Sequence, residues 1–212
     1  MPKTEEGEKA FIARAKQGDV EAFGELILQH EKVVYHVTLR MLRHEEDAKD
    51  ISQEIFLKAF KNIGNFDERS AFSTWLYRIA VNTSIDEIRR RRGKQTDSLE
   101  QELESERGRM RKQVADGKET PEEYLLRQEK AAEIRQALEL LSPEHKAVLI
   151  LRDIQGFSYE EIAEIVELPL GTVKSRISRA RNQCKAELLK TGERKGEPVR
   201  QNKRKEGGFH EM

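Results

Sequence analysis

The segment from Ser158 to Leu189, SYEEIAEIVELPLGTVKSRISRARNQCKAELL, leaves the chain little choice but two helices around a tight turn. Ser158 is a favoured N-cap residue, and Glu161 three positions on completes a capping box. Ile162, Ala163, Ile165 and Val166 supply the buried face of a short helix. Pro169 and Gly171 punctuate the break, with Pro169 expected near the first turn of the next helix, where its missing N–H costs nothing. In that second helix Val173, Ile177, Ala180 and Cys184 recur at i, i+4, i+7 and i+11, a single packing stripe. The other positions carry Lys174, Arg176, Arg179, Arg181 and Lys185 among Thr172, Ser175, Ser178, Asn182 and Gln183, with no acidic residue between Glu167 and Glu187. A solvated helix face ordinarily mixes signs. A one-sign face behind a short capped helix is the pattern of a helix-turn-helix that lays its second helix in the major groove.

Composition bounds the rest. The 212 residues suit one or two domains; 36% are hydrophobic and 37% charged, above the charged share of roughly 25% common in soluble proteins. Such a chain builds modest helical cores rather than one large sheet core. The formal net charge is zero, so affinity for a polyanion must come from local clusters rather than bulk charge. One cysteine, Cys184, excludes an internal disulfide and a cysteine-rich zinc site, and its place on the apolar stripe marks it as a small packing residue. The first residues, MPKTEEGEKAF, contain no apolar signal-peptide core, and no run is long enough to span a bilayer. A cytoplasmic protein is expected.

From the start of the chain, residues 8–16 form a short helical pattern, and Gly18-Asp19 ends it and caps the next. Between Val20 and Arg43 the apolar positions keep helical spacing, as a helix pair or as one long helix. His30, His36 and His44 stand six and eight apart, unlike the i,i+3 or i,i+4 spacing of a helical metal site, so no metal is expected. In the next helix Ala48, Ile51, Ile55 and Ala59 form the packing stripe, while Asp47, Asp50, Gln53, Glu54 and Lys58 occupy the other side, which taken alone is a solvated acidic face. Gly64 and Asn65 end this helix, and Asn65–Ser70 is a polar loop carrying an exposed-looking aromatic, Phe66. Phe72, Trp75, Leu76, Ile79 and Ala80 then define a core face, with Ser73 as a plausible N-cap and Trp75 assigned to packing rather than base stacking. The opposite side offers Arg78, Asn82, Thr83 and Asp86, and the helix ends in Arg89, Arg90, Arg91 and Arg92. Asp86 and Glu87 can pair some of these arginines; phosphate contact is the functional alternative.

At Gly93 the composition turns highly charged and apolar-poor, so residues 93–120 read as a flexible linker, transiently helical around 99–115. Thr120-Pro121-Glu122-Glu123 restarts a helix, and Ser142-Pro143-Glu144 starts another that ends before Gly156. The tail 191–212 is polar and basic, and disorder is expected there. No phosphate-binding glycine loop and no Ser/His/Asp or Cys/His motif is present, so an enzyme is not expected, nor any cofactor. The residues therefore predict an all-α chain: a first domain over 1–92, the linker 93–120, a helix-turn-helix domain over 121–190 and the tail 191–212. An acidic face together with an arginine-tipped helix suits one protein partner and one nucleic acid.

Three stretches add a resemblance. Asp47 to Phe56 (DAKDISQEIF), Phe72 to Asn82 (FSTWLYRIAVN) running into the arginines, and Tyr159 to Arg181 with its core LPLGTVKSR resemble, in order, the polymerase-docking, promoter-melting and helix-turn-helix segments of the extracytoplasmic-function (ECF) group of bacterial sigma-70-type sigma factors. The likeness covers roughly residues 10–92 and 121–189. It implies a promoter-specificity subunit that acts with core RNA polymerase in stress-response transcription; the rival is a stand-alone helix-turn-helix regulator. By resemblance, Asp47, Asp50, Gln53 and Glu54 dock on the clamp coiled coil of the polymerase's largest subunit. The loop Asn65, Phe66, Asp67 through Ser70, with Arg78, Asn82, Thr83 and Asp86, captures an unstacked base of the minus-ten element, and Arg89, Arg90, Arg91 and Arg92 hold phosphates. Thr172, Lys174, Ser175, Arg176, Arg179 and Arg181 serve the minus-thirty-five element. The linker would run toward the RNA exit path. An anti-sigma factor, in this family often membrane-bound, is the implied inhibitor of a chain expected to be monomeric when free.

Overall fold

The computed structural model describes residues 5–97 and 120–194, and every regular element among them is helical. The first half contains α1 (Glu5–Lys16), α2 (Val20–Leu28), α3 (Glu31–Leu42), α4 (Glu45–Asn62) with a closing 3₁₀ turn (Ile63–Asn65), and α5 (Phe72–Asp97). The second contains α6 (Pro121–Glu139), α7 (Pro143–Leu149), a π turn (Ile150–Ile154), α8 (Tyr159–Ile165) and α9 (Leu170–Arg194). The expected transient helix at 99–115 and residues 195–212 of the tail lie outside the described residues.

Local chemistry sets the boundaries. The Asp19 carboxylate accepts from the Ala22 N–H and starts α2. The segment 20–43, open between one helix and two, is a pair broken at Gln29-His30, and Arg43 in the left-handed region (φ 62°) ends α3. His44 caps α4, its Nδ1 accepting from the Asp47 N–H at 3.3 Å. Thr120 and Ser158 both form full capping boxes, with Glu123 and Glu161 returning the bond, and Ser142 caps α7. Ser73 does not cap α5. The first backbone bond of that helix runs from Trp75 N to Ala71 O, so Ser73 lies inside the first turn. Nor does α5 stop at Arg92: it continues to Asp97, into the stretch expected to be linker. Pro169 precedes α9 and accepts from the Thr172 and Val173 N–H groups, which uses the carbonyl of a residue that has no N–H to lose.

In the first half α5 packs against α3 and α4, with α1 and α2 to one side. Phe72, Leu76 and Ala80 meet Val34, Val37, Met41, Ile55 and Ala59, all nearly inaccessible. In the second half α9 lies across α6, α7 and α8. Val173, Ile177 and Ala180 are fully buried against Val148, Ile150, Leu151, Ile162 and Ile165, and Cys184 at the stripe's end is half-buried. Each such aliphatic side chain contributes roughly 1.5–3 kcal/mol relative to exposure. The two cores are continuous. α5 touches α7 and α8, and α3 touches α7 and the π turn.

Candidate nucleic-acid and protein interfaces

α9 carries the basic face. At roughly 100° per residue, Thr172, Ser175, Arg176 and Arg179 fall on one flank of the buried stripe, and Lys174, Arg181 and Lys185 on the other. Thr172, Ser175 and Arg179 are exposed and Arg176 is partly so. No ion pair within the described residues engages Lys174, Arg176 or Arg179, so their charges are available to a partner; Ser175 Oγ donates to the Thr172 carbonyl at 2.9 Å. Arg181 differs. It forms a two-pronged pair with Asp153, which holds its guanidinium back against the π turn and raises its pKa. The turn makes that pair possible. Closing the i→i+5 bond from Gln155 N to Ile150 O keeps Ile150 and Leu151 in the core and delivers Asp153 toward α9. Arg152, beside it, donates to the Phe157 carbonyl at 2.7 Å and lies 4.5 Å over the Tyr159 ring, bracing the entry to α8.

α4 carries the acidic face. Asp50, Gln53 and Glu54 are exposed on its outer side, with Glu54 paired to Lys58 at 2.7 Å. Asp47 is only partly exposed and meets Arg91 at 2.5 Å, which holds its carboxyl below the usual range. Arg91 also reaches Glu87, and Arg90 grips the same carboxylate with two bonds of 2.6 Å. Glu87 is 7% exposed, and the two guanidiniums, Arg90 first, push its pKa down to about 2. Two of the four arginines are thus spoken for by a buried glutamate, the local pairing that the sequence left open.

The loop and the melting-type helix are arranged differently from expectation. Phe66 is not exposed. It is 3% accessible, packed edge-on to Phe72 and 5.3 Å from Trp75, with the Lys16 ammonium 5.6 Å over its ring. A polar-looking loop hid an aromatic anchor because the ring turns back onto α5, a tertiary contact that local patterning does not reveal. Trp75 joins this cluster, as its spacing predicted. Thr83 is also buried, with Lys58 Nζ at 3.4 Å from its hydroxyl, whereas Asn82 and Asp86 are exposed. Asn65 and Asp67 stay exposed, and Asp67 accepts from the Arg69 N–H at 3.1 Å, which lowers its pKa. Arg78 faces the second half, 2.9 Å from Glu167 and bonded to the Glu164 carbonyl, while Arg89 meets Glu144 at 2.7 Å.

His30, for which no metal role is expected, meets Tyr77 Oη at 3.1 Å, and burial lowers its pKa. Among the described residues no cluster of three or more metal-ligating side chains occurs, and no helix is long and apolar enough to cross a membrane. Sequence patterning named Glu87 as a local partner for the arginines but missed Lys146 and Asp153, whose importance lies in long-range partners; only an unusual buried charge on a core stripe, such as Lys146 amid Ala147, Val148 and Leu149, hints at one.

Comparison with known proteins gives the family. Residues 26–94 match the family model for sigma-70 region 2, and residues 131–184 match that for sigma-70 region 4. The chain is 37% identical over 180 residues to the RNA polymerase sigma-H factor of Pseudomonas aeruginosa, covering 84% of this chain and 92% of that protein. It is 36% identical over 181 residues to the ECF RNA polymerase sigma factor SigW of Bacillus subtilis, covering 85% and 96%. Among solved structures, the sigma factor RpoE in complex with the anti-sigma factor NepR from Bartonella quintana superposes with a TM-score of 0.59 at 28% identity, covering 81% of this chain and 98% of the other. With two sigma-70 regions in order and relatives matched over nearly their full length, this chain belongs to the ECF group of sigma-70-type RNA polymerase sigma factors.

Proposed function

We propose that this sigma factor directs core RNA polymerase to promoters by dividing the work between the outer side of α4 and the free flank of α9. The observation that carries the division is the contrast in pairing. Asp50, Gln53 and Glu54 present an exposed acidic strip, in which Glu54 pairs with Lys58, while Arg176 and Arg179, with Lys174 on the opposite flank, present cations with no counter-charge among the described residues. The strip docks on the clamp coiled coil of the largest subunit, and Asp47 supports it from the edge while holding Arg91. Thr172, Ser175, Arg176 and Arg179 enter the major groove of the minus-thirty-five element, where arginine forks match guanine edges and phosphates. Asn65, Asp67, Asn82 and Asp86 frame the pocket for an unstacked minus-ten base, and Arg78 and Arg89 meet its backbone. Phe66 and Thr83 support that pocket from below. Arg181 positions α9 through Asp153 instead of reading bases. The work takes place in the cytoplasm, and an anti-sigma factor, the kind of partner seen on the Bartonella quintana relative, holds the protein in reserve.

The test is reconstitution. Purified protein is mixed with bacterial core polymerase and a genomic promoter library, and run-off transcripts are sequenced. New start sites sharing two spaced elements establish the assignment. Duplex binding without polymerase association would make the chain a stand-alone regulator and withdraw the role of α4.

A further inference from the structure

The loop assigned to the minus-ten base is held by a helix outside the matched family region. α1 ends at Lys16 and lies ahead of residue 26, where the match to sigma-70 region 2 begins. Ile12 and Ala15 are buried and fix α1 on the core, and the helix touches the 3₁₀ turn (Ile63–Asn65) that opens the loop. Lys16, next to Ala15 in the last turn, is thereby carried to the loop on a rigid support. Its ammonium makes two contacts there. It stands 5.6 Å over the Phe66 ring and pairs with the Glu68 carboxylate. Glu68 lies 52 positions from Lys16 in sequence, so no pattern local to α1 announces the pair.

The loop needs such a hold. Its residues alternate: Asn65 and Asp67 are exposed, whereas Phe66 is buried and Glu68 turns to Lys16. Glu68 does so with φ at 60°, in the left-handed region that residues other than glycine, asparagine and aspartate seldom adopt. Such a conformation costs free energy and persists only where its surroundings determine it. Within the loop, the Phe66 N–H donates to the Ile63 carbonyl at 3.0 Å, and Asp67 accepts from the Arg69 N–H at 3.1 Å. These bonds shape the two ends of the loop separately. Lys16 spans them, meeting Phe66 on one side of Asp67 and Glu68 on the other. The Lys16 and Glu68 side chains are 26% and 48% exposed, so their pair is a weak source of stability. Its consequence is the direction in which Asn65 and Asp67 are presented.

We propose that Lys16 is a positioning residue for minus-ten recognition: by tying Phe66 to Glu68 it presents Asn65 and Asp67 outward in the one arrangement that receives the unstacked base. The inference rests on the assignment of this loop to base capture. A flipped base recovers its unstacking free energy from contacts already in place. A loop that samples several shapes holds the receptive one for part of the time, and capture weakens by that fraction. Lys16 therefore acts on specificity at one base position, through the loop. An arginine at 16 keeps both contacts, since a guanidinium binds a ring face and a carboxylate alike; a neutral side chain keeps neither.

The test uses the full chain bound to core polymerase, on a promoter from the run-off library carrying each of the four bases in turn at every minus-ten position. The captured position is the one whose preference Asn65→Ala with Asp67→Ala flattens. Open-complex formation in the wild type should discriminate there by about tenfold, and Lys16→Met should reduce this to about twofold. Co-purification with polymerase and the minus-thirty-five footprint should stay unchanged. Lys16→Arg should keep the preference. Glu68→Gly suits a φ of 60° but removes the pair, and should lose it. Arg14→Met removes a cation from the same last turn of α1 and should change nothing. Hydrogen exchange at residues 65–70 of the free chain should quicken in Lys16→Met and Glu68→Gly and not in Arg14→Met. Full preference in Lys16→Met overturns the proposal. So does a loss in Lys16→Arg, or an equal loss in Arg14→Met. If Asn65→Ala with Asp67→Ala flattens no position, the base-capture assignment fails, and hydrogen exchange still reports whether Lys16 holds the loop. If that pair flattens one and Lys16→Met does not, the positioning fails alone.

Discussion

Glu87 shows what one residue can organise. Its carboxylate is 7% exposed and receives Arg90 and Arg91, so three charges are fixed at the end of α5's buried face. Replacing it by glutamine takes the carboxylate from Arg90 and leaves Arg91 with Asp47, and should cost about 1–3 kcal/mol in chemical unfolding. The same pairing predicts a pH response. Because folding lowers the Glu87 pKa from 4.5 to about 2, its contribution is fully present above pH 4.5 and is lost as the pH falls toward 2. Acid unfolding followed by circular dichroism should therefore be steeper in the wild type than in Glu87→Gln across that window; superimposable curves would mean the carboxylate is not held by its arginines. At the other end of the molecule, Arg176 and Arg181 look equivalent in sequence and are not. Arg176→Ala should weaken minus-thirty-five binding by about 1–3 kcal/mol with stability unchanged. Arg181→Ala should lower stability by roughly 0.2–1 kcal/mol, since the Asp153 pair is half exposed, and should leave base preference intact. Footprinting and thermal unfolding of both variants separate the two roles.

At the scale of the element, α4 and α9 are each a helix with one buried stripe and one working face, and the two kinds of face respond differently to substitution. Asp50→Lys with Glu54→Lys changes only exposed positions on α4. It should abolish co-purification with core polymerase while the helical signal is kept, and normal co-purification would sink the docking assignment. Ile177→Ala on α9 empties a fully buried site and should cost about 2–5 kcal/mol, taking DNA binding with it through loss of the fold. Much of this was legible beforehand. The stripe Val173, Ile177, Ala180 and Cys184 follows from a 3.6-residue period, and the caps at Thr120, Ser142 and Ser158 follow from the chemistry of orphan N–H groups. The ends of α5 were not legible. Ser73 has the chemistry of a cap but sits within a turn that began earlier, and the charged residues after Arg92 go on making helical backbone bonds.

For the whole molecule, the central fact is that two helical halves share a continuous core along a seam of arginines and acceptors. Docked halves should unfold in a single calorimetric transition at low salt, and Lys146→Met should separate it into two. Two transitions in the wild type would show that the halves are energetically independent.

The sequence by itself determined the helical class, the places where most helices begin, the packing stripes and the three segments by which the family is recognised. Each of these depends on residues within a few turns of one another, where periodicity and capping act. Tertiary structure alone decided that Phe66 turns inward, that Arg91 reaches Asp47 as well as Glu87, that Arg181 belongs to Asp153, and that Lys146 ends at the carbonyl of Met41. Those partners lie up to 105 positions apart, as with Lys146 and Met41. A long charged side chain has many neighbours it could satisfy equally well in one dimension; only the packing of the helices leaves it one.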